Sequence, residues 1–144
     1  MKTWLMTLCL LALAASAAAH VTVAPQQSPA GSTQIYKVRI HNGGKAPTSS
    51  IEVQIPAGVA IESVAPVPAG KSAMTKTGDR VTTITWEIAV PPGKYVEVAF
   101  TAKNPSTGNQ VTWTIRERFA DGSVTDYTDK PDSKEKASVT KLTR

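Results

Sequence analysis

Hydrophobic and polar residues alternate with a period of two over most of this chain. Tyr36, Val38 and Ile40 alternate with Lys37 and Arg39, and Ile51, Val53 and Ile55 with Glu52 and Gln54. Ile84, Trp86 and Ile88 alternate with Thr85 and Glu87. Val96, Val98 and Phe100 alternate with Glu97 and Ala99, and Val111, Trp113 and Ile115 with Thr112 and Thr114. Successive side chains of a strand point to opposite faces, so each run offers one face to a core and the other to water. Turn-forming residues separate the runs: Asn42-Gly43-Gly44, Pro56-Ala57-Gly58, Gly78-Asp79, Pro91-Pro92-Gly93, residues 104–108 and Asp121-Gly122. Nothing after the first nineteen residues sustains a helical period. Many short strands at this spacing predict an all-β fold, an immunoglobulin-like antiparallel β-sandwich over residues 20–144. The polar stretch 129–136 reads as a loop, 137–143 as a last strand or a frayed tail, and Gly43-Gly44 as a tight strand connection. Trp86 and Trp113 fall on apolar faces and read as core.

The first nineteen residues break the pattern. Lys2 is their only charge, an apolar run extends from Leu5 to Ala15, and Ser16-Ala17-Ala18-Ala19 follows. A basic start, a short apolar run and small residues at Ala17 and Ala19 read as a secretory signal peptide over residues 1–19. The run is too short to span a bilayer. Cleavage after Ala19 sends residues 20–144 to the periplasm or the medium. No later apolar run is long enough for a membrane span.

Composition then narrows the chemistry. The single cysteine, Cys9, lies in the signal, so the mature domain has no disulfide, thiolate metal site or cysteine nucleophile. Of 16 basic and 11 acidic residues only Lys2 is lost, leaving a net +4. The charge is scattered and aromatic residues are few, which argues against nucleic acid. No serine sits in a Gly-x-Ser-x-Gly elbow, there is no Gly-rich phosphate loop, and only two histidines are available as bases. Enzymatic activity is not expected.

Those two histidines are the candidate chemistry. A mature N-terminal His20 carries a free α-amine and Nδ1, which together close a chelate ring suited to copper. His41 stands at a strand end before Asn42-Gly43-Gly44 and, taken alone, reads as a solvated loop residue. Tyr127 lies on a short polar strand after Asp121-Gly122.

The chain resembles the YcnI-like copper-binding domain of secreted and periplasmic bacterial proteins. The resemblance is carried by Ala19-His20-Val21-Thr22-Val23, Tyr36-Lys37-Val38-Arg39-Ile40, Val53-Gln54-Ile55-Pro56-Ala57-Gly58-Val59, Pro66-Val67-Pro68, Thr83-Ile84-Thr85-Trp86, Ala102-Lys103-Asn104-Pro105 and Phe119-Ala120-Asp121-Gly122-Ser123-Val124. It implies an immunoglobulin-like sandwich that binds Cu(II) through the amine and imidazole of His20. It further implies a Glu ligand after the second strand and a Trp close to the metal. Here the Glu position aligns with Gly43 and the Trp position with Tyr127, so only His20 carries over unchanged.

His41, two residues before Gly43, is the expected replacement ligand, since residues two apart on an extended chain face the same way. Water or the Asp126 carboxylate would complete a tetragonal Cu(II) sphere. His20, His41, Asp126 and Tyr127 are therefore the expected metal-site residues. The expected function is copper delivery, storage or tolerance outside the cytoplasm, with copper-handling proteins of the membrane or periplasm as partners. A histidine-brace copper oxygenase and a metal-free sandwich that binds a protein partner are the alternatives.

Overall fold

The computed structural model describes residues 20–144. The expected signal peptide, residues 1–19, lies outside the described residues. The described chain forms twelve strands: β1 (His20–Ala24), β2 (Gln27–Pro29), β3 (Thr33–His41), β4 (Thr48–Gln54), β5 (Ala60–Val64), β6 (Gly70–Thr77), β7 (Arg80–Val90), β8 (Tyr95–Lys103), β9 (Gln110–Phe119), β10 (Val124–Thr128), β11 (Glu135–Lys136) and β12 (Ser138–Thr143). One sheet has the order β1-β3-β8-β5. The other runs β11-β10-β9-β4-β7-β6, with β12 paired to β9 and to β2. The likeness is to an immunoglobulin sandwich, as the alternation predicts.

The period-two runs supply the facing surfaces. Tyr36, Val38 and Ile40 of β3 meet Ile51 and Val53 of β4, Ile84 and Trp86 of β7, Phe100 of β8 and Trp113 and Ile115 of β9 in one buried cluster. Tyr36 stacks on Phe100 with ring centroids 5.5 Å apart and meets Trp113 edge-on at 4.8 Å. Burying each such side chain contributes about 1.5–3 kcal/mol, and aromatic pairs add about 0.5–1.5. At this core the Tyr36 hydroxyl donates to Asn104 Oδ1 at 2.6 Å and the Trp113 indole N–H to Thr140 Oγ1 at 3.0 Å, while the buried Trp86 indole N–H has no hydrogen-bond partner among the described residues.

Two local expectations need correction, and one open alternative is settled. Gly43-Gly44 does not make a tight connection, because β3 and β4 belong to different sheets and residues 42–47 cross between them. Part of the stretch 129–136 is not loop: Glu135 and Lys136 pair in parallel with Tyr127 and Thr128. The last segment, left open between strand and tail, is the strand β12, which runs antiparallel to β9 and parallel to β2. Its Leu142 and Thr140 are buried, which fixes it.

Candidate metal centre

The two histidines come together through strand register. β1 is the edge strand of its sheet and pairs antiparallel with β3, with His20 directly opposite His41, Val21 opposite Ile40 and Val23 opposite Val38. Val21, Val23, Val38 and Ile40 are buried, so the alternate positions, His20 and His41 among them, occupy the exposed face. Directly opposed residues of an antiparallel pair have Cβ atoms about 4.5–5.5 Å apart. Two imidazoles on such a pair can reach one ion. On the far side of His41 stands Tyr95, 62% exposed, so His20, His41 and Tyr95 form one rung across three strands. The Arg39 guanidinium lies 4.8 Å from the Tyr95 ring centroid and 3.9 Å from the Glu97 carboxylate.

The chain leaving His41 is held by Asn42, which is fully buried. Its Nδ2 donates to the carbonyls of Ala46 and Val90 at 2.9 and 2.8 Å, and its Oδ1 accepts from the Gly44 N–H at 2.9 Å. The Asn42 N–H donates to Lys94 O, and the Gly93 N–H donates back to Asn42 O at 2.7 Å. Gly93 holds φ +78°, a conformation costly for other residues, and so closes the turn beneath His41. Gly43 does not hold a positive φ.

On its other side β1 borders a cleft of about 490 Å³, walled by His20, Val21 and Thr22 and by residues of β11 and β12, with Tyr127 and Glu135 among its lining. Tyr127 is 2% exposed and its hydroxyl donates to Glu117 Oε1 at 3.1 Å, while the Thr48 hydroxyl donates to Glu117 Oε2 at 2.7 Å. Burial pushes the Glu117 carboxyl above the usual range, partly offset by these two bonds. Burial, reinforced by the Glu117 charge, raises the Tyr127 phenol well above its ordinary value. Tyr127 therefore lines the same cleft as His20, but its hydroxyl is committed inward to Glu117.

Asp126 is placed elsewhere. It alternates with buried Tyr127 and so faces the outside of the larger sheet. Its carboxylate accepts from Arg116 Nε at 2.8 Å, and this bond holds its pKa below the usual range. It does not line the His20 cleft. The expectation that Asp126 completes a sphere at His20 is thus corrected by strand parity.

Two buried or half-buried acids were missed in the sequence. Glu117 continues the parity of Val111, Trp113 and Ile115, and that signal alone marks it as inward-facing. Glu135 carries no such signal, since its position depends on the parallel pairing of a two-residue strand. Among the described residues no three His, Cys, Asp or Glu side chains stand together as a metal cluster. The donors that strand register brings together at this corner are the imidazoles of His20 and His41. Nitrogen-rich sets of this kind suit Cu(II).

Comparison with known proteins agrees with the fold and supplies kinship. The copper-binding protein CutI of Bacillus subtilis (strain 168) is 30% identical over 152 residues, spanning 99% of this chain and 74% of the relative. An uncharacterized protein from Nocardia farcinica with an immunoglobulin-like fold superposes with a TM-score of 0.76 at 17% identity, covering 87% of this chain and 99% of that one. A type II cohesin domain from the cellulosome of Acetivibrio cellulolyticus gives a TM-score of 0.50 at 6% identity, over 84% of this chain and 92% of that one. At such identities the structural likeness speaks for the fold alone. The family described as "Domain of unknown function (DUF1775)" matches residues 20–141, so the chain belongs to this family, the YcnI-like family whose motifs its sequence carries.

Proposed function

We propose that this protein binds Cu(II) outside the cytoplasm, through the amine and Nδ1 of His20 after cleavage behind Ala19, with His41 as a third nitrogen ligand. The observation that carries this reading is the direct opposition of His20 and His41 in the β1–β3 register. Kinship with a protein named for copper binding supports the choice of metal. The family match that begins at His20 supports the choice of first ligand.

The chemistry follows from the donors. Amine and Nδ1 of one residue close a chelate ring, so the second bond forms without a further loss of chain entropy. His41 brings a third neutral nitrogen from a strand whose backbone is already fixed by Asn42. The site is exposed at an edge strand, so a recipient protein can approach and exchange ligands one at a time. That arrangement favours delivery over storage. The metal is cargo and the protein is not an enzyme. The His20–His41 pair also matches the nitrogen set of a brace oxygenase. Tyr95 is, however, the only exposed large aromatic among the described residues, which leaves little platform for a glycan.

Copper titration of protein beginning at His20, with His20→Ala and His41→Ala beside it, tests the reading. His20→Ala should abolish tight binding and His41→Ala should weaken it while removing one nitrogen from the hyperfine pattern. Equal binding by His20→Ala would place the site elsewhere. Consumption of ascorbate and oxygen beyond that of free copper would instead favour the oxygenase.

A further inference from the structure

The two sheets of the sandwich differ in width, and the mismatch leaves one face of β6 uncovered. The smaller sheet ends at β5, which pairs with β8 alone among the described strands. The larger sheet continues past β7 to its edge strand β6. Residues directly opposite in a ladder share a face. Gly70 stands opposite Ile88, Ser72 opposite Trp86, Met74 opposite Ile84 and Lys76 opposite Val81. All four partners on β7 are buried, so this is the core-facing side. Yet every residue of β6 is exposed, Met74 at 48%. The face that buries β7 thus continues onto β6 with no strand of the smaller sheet to cover it.

The uncovered stretch has two ends. Gly70 lies under Val67, whose Cγ1 a Cβ at Gly70 would meet at 3.3 Å. At the other end a cleft of about 400 Å³ opens between residues 58–61 and residues 79–81, with Val59, Ile61 and Val81 in its wall. From Ser72 to Lys76 the strand rises about 13 Å, the length of a strand of about five residues.

Charge limits what can fill this gap. Aligned antiparallel with a second β5, Glu62 would meet Glu62, and a second β6 would set Lys71 against Lys76. Like charges directly opposite are destabilising, so both edges resist a second copy of this chain. β6 carries two lysines and no acid. Lys71 stands opposite Glu87, whereas Lys76 has no ion pair among the described residues. The adjoining cleft wall adds one charge of each sign, Asp79 and Arg80.

We propose that the outer edge of β5 receives an extended strand from a partner protein, which lies over β6 with apolar residues on Met74 and an acidic residue beside Lys76. Strand addition of this kind takes its affinity from backbone hydrogen bonds and its specificity from alternate side chains. β5 and β1 are the opposite edges of the smaller sheet. A partner held at β5 therefore leaves His20 and His41 exposed, whether or not they bind copper.

The probe is a capped pentapeptide, Val-Thr-Val-Thr-Glu, with Val-Thr-Val-Thr-Lys as its control. Each is titrated into isotope-labelled protein beginning at His20 and followed by nuclear magnetic resonance. The Glu peptide should shift the β5 amides and the Met74 methyl and slow amide exchange along β5. Lys76→Glu should weaken its binding by about two- to fivefold, the range of an exposed ion pair, and reverse the preference between the two peptides. Met74→Asp should abolish the β5 shifts. Both positions are exposed, so the melting curves of the variants should stay close to wild type. Absence of β5 shifts with the Glu peptide, or an unchanged preference in Lys76→Glu, would overturn the inference. So would a wild-type dimer, seen by sedimentation, that Met74→Asp disperses, because the gap would then belong to a second copy.

Discussion

His41 and Glu117 illustrate two ways in which a single side chain can matter here. His41 is exposed on a pair of well-packed strands, so its removal touches no core contact. His41→Ala should change folding stability by no more than about 0.5 kcal/mol, as surface substitutions usually do, yet weaken Cu(II) binding. A melting curve and a titration on the same sample check both halves. Gly43 holds no positive φ, so Gly43→Glu is free of that backbone penalty and restores the carboxylate that the resemblance implies. It should tighten Cu(II) binding, and a titration showing weaker binding would place Gly43 away from the ion. Glu117 is the opposite case, a buried acid whose burial raises its pKa above the ordinary 4.5. The folded state therefore holds this proton to higher pH than the unfolded chain does. The contribution of the group is full below about pH 4.5 and declines as pH rises through the raised value. Glu117→Gln cannot titrate, so its stability relative to wild type should rise across that window. Denaturant unfolding at a series of pH values measures this difference, and a constant difference would contradict the burial argument. Asp126 acts in the other sense: Arg116 lowers its pKa, so its contribution is present above its ordinary 3.8 and is lost as pH falls.

At the scale of elements, the site depends on how β1 is held from both sides. β3 fixes it by ladder pairing and β12 by the bond from Val23 N–H to Ser138 Oγ. Ser138→Ala leaves that N–H without its acceptor. Val23 should then exchange its amide hydrogen faster, and the fold should lose about 1 kcal/mol, the usual net worth of one such bond. Unchanged exchange at Val23 would show that β1 needs no tie to β12. Asn42→Ala removes three hydrogen bonds beneath His41 and should cost about 1–3 kcal/mol, the price of leaving buried partners unsatisfied. The long strands were legible in the sequence because each buries one face: β3, β4, β7, β8 and β9 follow the alternation of their apolar residues. β6 was not, because it is an exposed edge strand whose residues obey no inside–outside rule. β11 was not, because two residues carry no period. The candidate site was legible only as far as local pattern reaches. The Ala-x-Ala motif points to His20 and the spacing to Gly43 points to His41, while their direct opposition comes from the β1–β3 register, which no local pattern encodes. Asp126 was misplaced because its parity relative to Tyr127 went unread, and Glu135 is placed by the parallel pairing of a two-residue strand, which no local pattern encodes.

For the molecule as a whole, the proposed copper reading makes the metal site depend on cleavage before His20. The sandwich brings His20, on an edge strand, opposite His41; under the proposed copper reading the first ligand pair exists only once the peptide bond before His20 is cut. Before cleavage the His20 nitrogen is an amide without a free lone pair; afterwards it is an amine. Acidification should weaken binding, because protons compete with the metal for the amine and imidazole nitrogens. The most direct measurement is Cu(II) affinity and electron paramagnetic resonance for two otherwise identical proteins, one beginning at His20 and one carrying a single additional residue before it. The account predicts that the extended protein binds more than tenfold more weakly, a loss of at least about 1.4 kcal/mol, with a spectrum lacking the amine nitrogen. Equal affinity and identical spectra for the two proteins would contradict it.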